Sequence, residues 1–219
     1  MTAGMPMAAA LAGIPAGVQA LGPWAGRRQL FVRFAGEAET ATMYMAPALI
    51  RELQRQLQRS PFHSVAISGR DPLGSVGFLK AALEGAKPSV PVMLDTDGLR
   101  PDELPALLGH LALVQVTVEF AGGEAALDHA IETLKVAAAG GVAHALALVP
   151  REDTSDSMLL RLVEEAHAAS AATQVVIHPP VGENAAVLDR RWASLLEQAL
   201  GVHADTRLAM RIAPPTGLR

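Results

Sequence analysis

Short apolar runs rich in β-branched residues alternate along the chain with longer segments of helical period. Alternation of this kind is typical of repeated strand-helix units, which build a mostly parallel sheet with helices packed against it. The predicted strands are Gln29 to Phe34, His63 to Ser68, Pro91 to Asp95, Leu113 to Phe120, Ala143 to Val149, Gln174 to His178, and Arg207 to Ile212. The predicted helices are Ala48 to Arg59, Gly77 to Ala86, Pro101 to Leu111, Glu124 to Ala139, Asp156 to Ala169, and Arg190 to Leu200.

The strand-helix units form one unbroken series of about six, with no linker between them. We interpret residues 23–219 as a single α/β domain, a partial (incomplete) TIM-like barrel of about six parallel strands with outer helices. Residues 1–22 are interpreted as an N-terminal edge segment. Glycine and proline interrupt the apolar start of the chain and no basic residue precedes it. We therefore expect neither a signal peptide nor a membrane span, and a cytoplasmic location.

The composition narrows the possible functions. Among 219 residues, 18 are Lys or Arg and 22 are Asp or Glu, which gives a net charge of −4. This charge, without a basic stripe, disfavours nucleic-acid binding. The chain contains no cysteine, which excludes disulfides, thiolate metal sites and a cysteine nucleophile. No phosphate-binding loop, zinc motif or Ser-His-Asp order is present, so we predict no metal and no cofactor.

A specific motif lies between residues 19 and 47. Its matching residues are Gln19, Gly22, Pro23, Gly26, Arg27, Phe31, Val32, Arg33, Gly36 and Pro47. In this spacing they resemble the opening of the 7-carboxy-7-deazaguanine synthase family of radical S-adenosylmethionine enzymes, Q-G-E-G-P-x-x-G-R-x-x-x-F-V-R-x-x-G-C-N-x-x-C-x-x-C-D-T-P. Similarity to the family continues in order at residues 68–73, 94–98, 114–119 and 207–219.

The three cysteines that bind the iron-sulfur cluster in this family fall at Glu37, Ala41 and Tyr44. Soft thiolates hold such a cluster, and a carboxylate, a methyl group and a phenol do not replace them. Without the cluster, no electron is supplied to cleave S-adenosylmethionine, because that chemistry belongs to the cofactor. The resemblance therefore implies a chain without radical activity. It also implies a homodimer, since the family tends to be dimeric.

Ligands of strand-helix proteins bind at the carboxyl ends of the strands. The candidate ligand-binding residues there are Arg27, Arg70, Asp71, Asp95, Thr96, His178 and Arg211. Arg27 matches a family arginine that engages the substrate carboxylate, and the other two arginines would add cations to an anion site. The alternative is that Arg27 pairs with Glu37 or Glu39 while the other arginines are solvated. Asp71 and Asp95 are the only plausible acid pair for catalysis, but we predict binding rather than catalysis and assign no catalytic residue.

Two helices carry an acid and a histidine three residues apart. The pairs are Glu164 with His167, and His129 with Glu132. This spacing can place two metal ligands on one helix face. Because both helices are expected outside the sheet, we interpret these pairs as solvated surface.

Two hypotheses for the function follow. The first is a pseudoenzyme that resembles 7-carboxy-7-deazaguanine synthase and has a binding, regulatory or partner-subunit role, with a protein partner or a small anionic ligand. The second is a repurposed non-radical enzyme that acts on a small anionic or purine- or pterin-like ligand at the strand ends. An enclosed polar cavity there would favour the second, and side chains filling that region would favour the first.

Overall fold

The computed structural model describes residues 7–120, 124–180 and 190–211, which form an α/β fold with one mostly parallel sheet. The ten strands are β1 (Ala8–Gly13), β2 (Ala16–Val18), β3 (Arg28–Phe34), β4 (Thr42–Met45), β5 (Ser64–Gly69), β6 (Val92–Thr96), β7 (Leu113–Val118), β8 (Ala143–Leu148), β9 (Gln174–Ile177) and β10 (Thr206–Leu208). Their order is β10-β9-β8-β7-β6-β5-β3-β1-β4, with β2 paired to β3. Within the described residues β10 and β4 are the ends of this order, so the sheet is open.

The parallel part of the sheet consists of β3 and β5 to β10. Each of the seven predicted strand ranges corresponds to one of these seven strands. The partial barrel was expected to have about six. The apolar runs predict them well because a parallel strand is buried on both faces and needs no polar alternation. The last predicted strand was too long, since β10 ends at Leu208. Its predicted end, Ile212, lies outside the described residues.

The N-terminal segment belongs to the same sheet. β1 lies between β3 and β4 and is antiparallel to both strands. β4 is therefore the outermost strand at this end. It occupies part of the segment that the resemblance aligns with the cluster-binding loop.

In the described ranges the α-helices are α1 (Ala46–Arg59), α2 (Val76–Ala86), α3 (Glu124–Ala139), α4 (Asp156–Ala169) and α5 (Arg190–Val202). Pro47 lies in the first turn of α1, where its missing N–H would have no helical partner in any case. The hydroxyl of Ser155 caps α4 by accepting a hydrogen bond from the Met158 N–H at 3.3 Å. No helix of the described part combines the length and apolarity required to span a bilayer.

The helix predicted from Pro101 to Leu111 is wrong in type. Two 3₁₀ helices occupy the segment, at Pro101–Ala106 and Leu108–His110. Pro105 lies inside the first of them, and its ring and missing N–H oppose a regular α-helical turn. Leu104 is nevertheless fully buried, so the segment keeps its contact with the core.

Both faces of the sheet are buried. On one face, alternate strand residues such as Val114, Val116 and Val118 join all five helices in a large hydrophobic core. On the other face a smaller cluster contains Ala66, Met93, Leu113 and Ala145, with Trp24 and Phe31 packed against it. Side chains at alternate positions of β6 and β7 therefore point to the face opposite the helices.

Residues 19–27, here called the N-terminal turn, rest on this second face. The turn is closed by the Gln19 N–H, which donates to the Arg27 carbonyl, and by the Gly26 N–H, which donates to the Gln19 carbonyl, both at 2.9 Å. The Gly22 N–H donates to Nε2 of His178, which follows β9, at 2.9 Å. The turn thus connects the start of the chain to the carboxyl end of the parallel sheet.

Candidate functional site

A cavity of about 460 Å³ opens at the carboxyl ends of β5, β6 and β7. We call it the β6–β7 cavity. Its described lining residues are Leu21, Gly69, Asp95, Thr96, Asp97, Leu99, Thr117, Val118, Glu119, Phe120, Ala126 and Leu127. Most of this wall is apolar, and its charged side chains are all acidic. A cavity of this size with a few convergent polar groups is suited to a small molecule.

Asp95 is the best-positioned polar group of the β6–β7 cavity. The Thr117 hydroxyl donates to Oδ1 of Asp95 at 2.6 Å. The Gln115 amide donates in turn to the Thr117 hydroxyl at 3.2 Å. Parallel pairing of β6 with β7 places Asp95 opposite Gln115 in the ladder, so the sheet itself holds this network in place.

Burial raises the pKa of the Asp95 carboxyl to about 6. Hydrogen bonding by Thr117, and the nearby amides of Gln115 and Gln19, oppose that rise, while the negative charge of Glu119 adds to it. Asp95 is half-buried and accessible from the cavity that it lines. A carboxyl with a pKa near 6 exchanges its proton close to neutral pH, and can therefore act as a hydrogen-bond acceptor or as an acid-base group.

The loop after β6 is held tightly against α3. The Gly98 N–H donates to the Thr96 hydroxyl at 3.2 Å, and the Thr133 hydroxyl donates to the Gly98 carbonyl at 2.8 Å. Gly98 has a φ of 82°, and a Cβ there would lie 2.7 Å from the Cα of Ala130. Only glycine fits this close approach, so the loop that follows Thr96, the last residue of β6, is rigidly placed beside the cavity.

The N-terminal turn and the end of β7 complete the wall. Leu21 of the turn lines the cavity and is buried. Phe120 also lines it and has a φ of 53°, a left-handed conformation that is unusual for an aromatic residue. Such backbone strain concentrates at functional sites, and here it lies two residues after the end of β7, at the cavity wall.

Arg70 and Asp71 line a second, more open groove, the Arg70 groove. Arg70 forms an exposed ion pair with Glu37 at 2.8 Å. Asp71 accepts a bidentate hydrogen bond from Arg100, with its shortest N–O distance 2.7 Å, and also accepts from the Gly74 N–H at 3.1 Å. Asp71 is thus occupied as a cap and an ion-pair partner, and it does not share a cavity with Asp95.

The three positions aligned with cluster cysteines do not form a common site. Glu37 and Ala41 line the Arg70 groove. Tyr44 lies on β4 opposite Ala9 and packs against the hydrophobic core. Glu37 and Tyr44 are not soft ligands, Ala41 offers no ligand atom, and the three positions do not converge, so the residues present do not fit a four-iron cluster.

His178 and Arg211 line a third groove, together with Glu119. His178 is 1% exposed, and burial lowers its pKa, with the charges of Arg211 and Arg207 acting in the same direction and the Ala209 backbone opposing them. Because its Nε2 accepts from the Gly22 N–H, the imidazole holds the N-terminal turn. Its geometry is that of a structural residue.

Arg27 is exposed and lines none of these three cavities. The alternative pairing of Arg27 with Glu37 or Glu39 is not seen. Glu37 pairs with Arg70, and Glu39 pairs with Arg33. The three candidate arginines therefore do not share one cavity.

The helical acid-histidine pairs have other partners. Glu132 forms an exposed ion pair with Lys135 at 3.1 Å. Nδ1 of His167 lies 3.0 Å from Nδ1 of the buried His203, whose Nε2 contacts the Thr173 carbonyl. His167 therefore connects α4 to the residue that follows α5, in addition to being exposed.

Several cavity residues were not predicted as site residues. Thr117 and Gln115 alternate with the valines of β7, and this period-two pattern would have placed them on the face opposite the helices. Leu21 carries no such signal, because its position depends on how the N-terminal turn folds back on the sheet.

Comparison with protein-family models gives no match, and comparison with curated proteins finds no significantly similar sequence.

Proposed function

We propose that this chain is a cluster-less relative of 7-carboxy-7-deazaguanine synthase, a pseudoenzyme with a binding, regulatory or partner-subunit role and no radical activity. The sheet is proposed to be a partial TIM-like barrel, which the two buried faces and the uninterrupted parallel order support. We further propose a cytoplasmic homodimer, as the resemblance implies.

The β6–β7 cavity is the observation that carries the binding role. It is partly open and mostly apolar, so it is neither the enclosed polar cavity expected of an enzyme nor a region filled by side chains. It combines a volume of about 460 Å³, an apolar wall and the hydrogen-bonded Asp95 carboxyl. The N-terminal turn covers part of the same sheet face, yet the cavity remains open beside it. Among the three cavities described above it is the least open, and it is the one that contains the hydrogen-bonded Asp95, so we propose a small molecule as its ligand.

Native mass spectrometry of the protein purified from its own source tests the binding role. The expected result is a retained small molecule. Its occupancy should fall in the variant Asp95→Asn, because this change removes the carboxylate from the cavity wall. An Asp102→Asn variant, changed at an exposed residue outside the cavity, should retain the ligand. The same spectra give the oligomeric state. Retention of a bound protein with an empty cavity would support the partner-subunit role instead.

The absence of radical activity has a separate test. After anaerobic reconstitution with iron and sulfide, we expect no stoichiometric iron and no cleavage of S-adenosylmethionine. The triple variant Glu37→Cys, Ala41→Cys, Tyr44→Cys should also fail to assemble a cluster, because position 44 packs against the core. Cluster assembly in the wild-type chain would overturn the proposal. Cluster assembly in the triple variant alone would show that this chain differs from the radical enzymes only in its ligand residues, and not in the arrangement of the three positions.

A second candidate is a non-radical enzyme that uses Asp95 as a general acid-base group. The pKa of about 6 supports this role, because proton transfer is most efficient when the catalytic pKa lies near the working pH. The test is to incubate the recovered ligand with the wild-type protein and with Asp95→Asn, and to compare its mass before and after. A change of mass only with the wild-type protein would establish turnover, and an unchanged mass would leave the binding role.

A further inference from the structure

The charged side chains that line the β6–β7 cavity all have the same sign. They are Asp95 and Asp97 from the end of β6 and its loop, and Glu119 from the end of β7. The other described walls are uncharged, including Leu21 of the N-terminal turn, Gly69 of β5 and Leu127 of α3. No arginine lines the cavity itself among the described residues. Arg100 pairs with Asp71 in the Arg70 groove and also interacts electrostatically with Asp97. Arg151 and Arg211 line the third groove, which shares Glu119 with the cavity.

A small anion gains nothing in such a cavity. It would lie close to Asp95, which is half-buried, and near the exposed Asp97 and Glu119. The repulsion is strongest at Asp95, where the space is partly desolvated. A cation would find the opposite situation. Asp95 accepts a hydrogen bond from Thr117 and is also approached by the amides of Gln115 and Gln19. An ionised carboxylate offers about four acceptor positions, so one position is left for a charged N–H donor.

The apolar part of the wall limits the ligand further. Leu21, Val118, Phe120 and Leu127 surround the space next to the acids. A hydrated inorganic cation would leave this surface unused, while an organic cation with a flat apolar body would bury against it. The ring of Phe120 offers an additional attraction, because aromatic faces bind organic cations.

We infer that the β6–β7 cavity binds an organic nitrogen cation of the amidinium or protonated aminoheterocycle class, with its N–H groups on Asp95 and its apolar body against Leu21, Val118 and Leu127. This inference rests on the proposed binding role and names its ligand class. The sequence led us to expect an anionic ligand, whereas the ligand inferred here is a cation.

Three probes of nearly equal shape test the charge directly: benzamidinium, benzamide and benzoate. Isothermal titration calorimetry at pH 7.5 should give an affinity for benzamidinium at least about tenfold above that for benzamide, since a charged hydrogen bond is roughly twice as strong as a neutral one. Benzoate should bind more weakly still. Amide chemical shifts that move around Thr96, Thr117 and Leu127 should locate the probe in the cavity.

Two further measurements assign the effect to Asp95. The variant Asp95→Asn should reduce benzamidinium affinity at least about tenfold, while Asp102→Asn should leave it unchanged. Lowering the pH from 7.5 to 5 should weaken benzamidinium binding about tenfold in the wild-type protein, because a carboxyl with a pKa of about 6 is then roughly nine-tenths protonated. Glu119 and Asp97 also face the cavity, so the pH effect should become much smaller, without vanishing, in Asp95→Asn.

The outcomes separate this inference from the proposal on which it rests. Equal binding of the three probes in the cavity, or a preference for benzoate, would overturn the cationic class while leaving a binding cavity. Binding of benzamidinium with unchanged affinity in Asp95→Asn would overturn the role of Asp95. If none of the probes moves the cavity resonances at millimolar concentration, the inference fails, and an empty cavity in native mass spectrometry would then refute the binding role as well.

Discussion

Gly22 of the N-terminal turn provides the sharpest test of how the turn contacts the sheet. Its φ is 74°, and a Cβ at this position would lie 1.8 Å from Oε1 and 2.5 Å from Cδ of Gln115. The Gln115 side chain is fully buried and donates to the Thr117 hydroxyl. The variant Gly22→Ala should therefore force this amide to move and should disturb the network that supports Asp95.

The expected cost has two parts. A left-handed conformation costs an alanine about 1–2 kcal/mol. Displacing the Gln115 amide breaks its hydrogen bond to Thr117 and leaves a buried polar group poorly satisfied, which costs about 1–2 kcal/mol more. The free energy of unfolding of Gly22→Ala should thus fall by about 2–4 kcal/mol, as measured by equilibrium urea denaturation.

Gly141 offers a matched control that separates the two parts. Its φ of 69° is nearly the same, but a Cβ there would have no heavy atom within 4 Å. Gly141→Ala should therefore lose only the conformational part, about 1–2 kcal/mol. A double-mutant cycle of Gly22→Ala with Gln115→Ala should give a coupling of about 1–2 kcal/mol, because the shortened side chain leaves room for the new methyl group. Equal losses in the two glycine variants, together with an additive cycle, would refute the close approach of the turn to Gln115.

Three other predictions concern charges and hydrogen bonds. The pKa of Asp95 is raised from 3.8 to about 6, so the folded state holds this proton more tightly than the unfolded state. The free energy of unfolding should therefore fall by up to about 3 kcal/mol as the pH rises from 4 to 7. Urea denaturation of Asp95→Asn across that range should lack this contribution. Thr117→Val removes a hydrogen bond to the carboxylate and should raise the pKa of Asp95 further, as followed by carbon-detected NMR titration; an unchanged or lower pKa would contradict the network. Arg70→Ala breaks an exposed ion pair with Glu37 and should change the free energy of unfolding by less than about 1 kcal/mol while leaving benzamidinium affinity unchanged.

The strands could be predicted from the sequence because their cause is local. Runs such as Val65–Ile67 in β5 are apolar at every position, as a strand buried on both faces requires. The position of Asp95 at the end of β6 followed from the same reasoning. Residues 101–110 form 3₁₀ helices and not the expected α-helix because the backbone effect of Pro105 outweighs the apolar helical period.

The contacts of the site could not be predicted in the same way. The hydrogen bond from Thr117 to Asp95 depends on the register between β6 and β7, and a shift of one residue would turn Thr117 to the helix face. Glu37 pairs with Arg70 rather than with Arg27, a choice that depends on the path of the loop after β3. Such contacts arise from tertiary geometry, which a single sequence specifies only through the whole fold.

The energetics of Asp95 favour a ligand over a purely structural role. Its raised pKa means that ionisation at neutral pH opposes folding by up to about 3 kcal/mol. Asparagine could accept the same hydrogen bond from Thr117 without a buried charge, so a protein that served only as a scaffold would be more stable without the carboxylate. A cationic ligand reverses this balance, because it stabilises the ionised carboxylate and lowers its pKa again. The proposed binding role would account for the destabilising group, and on that proposal Asp95→Asn should make the free protein more stable at pH 7 while it weakens the affinity for benzamidinium.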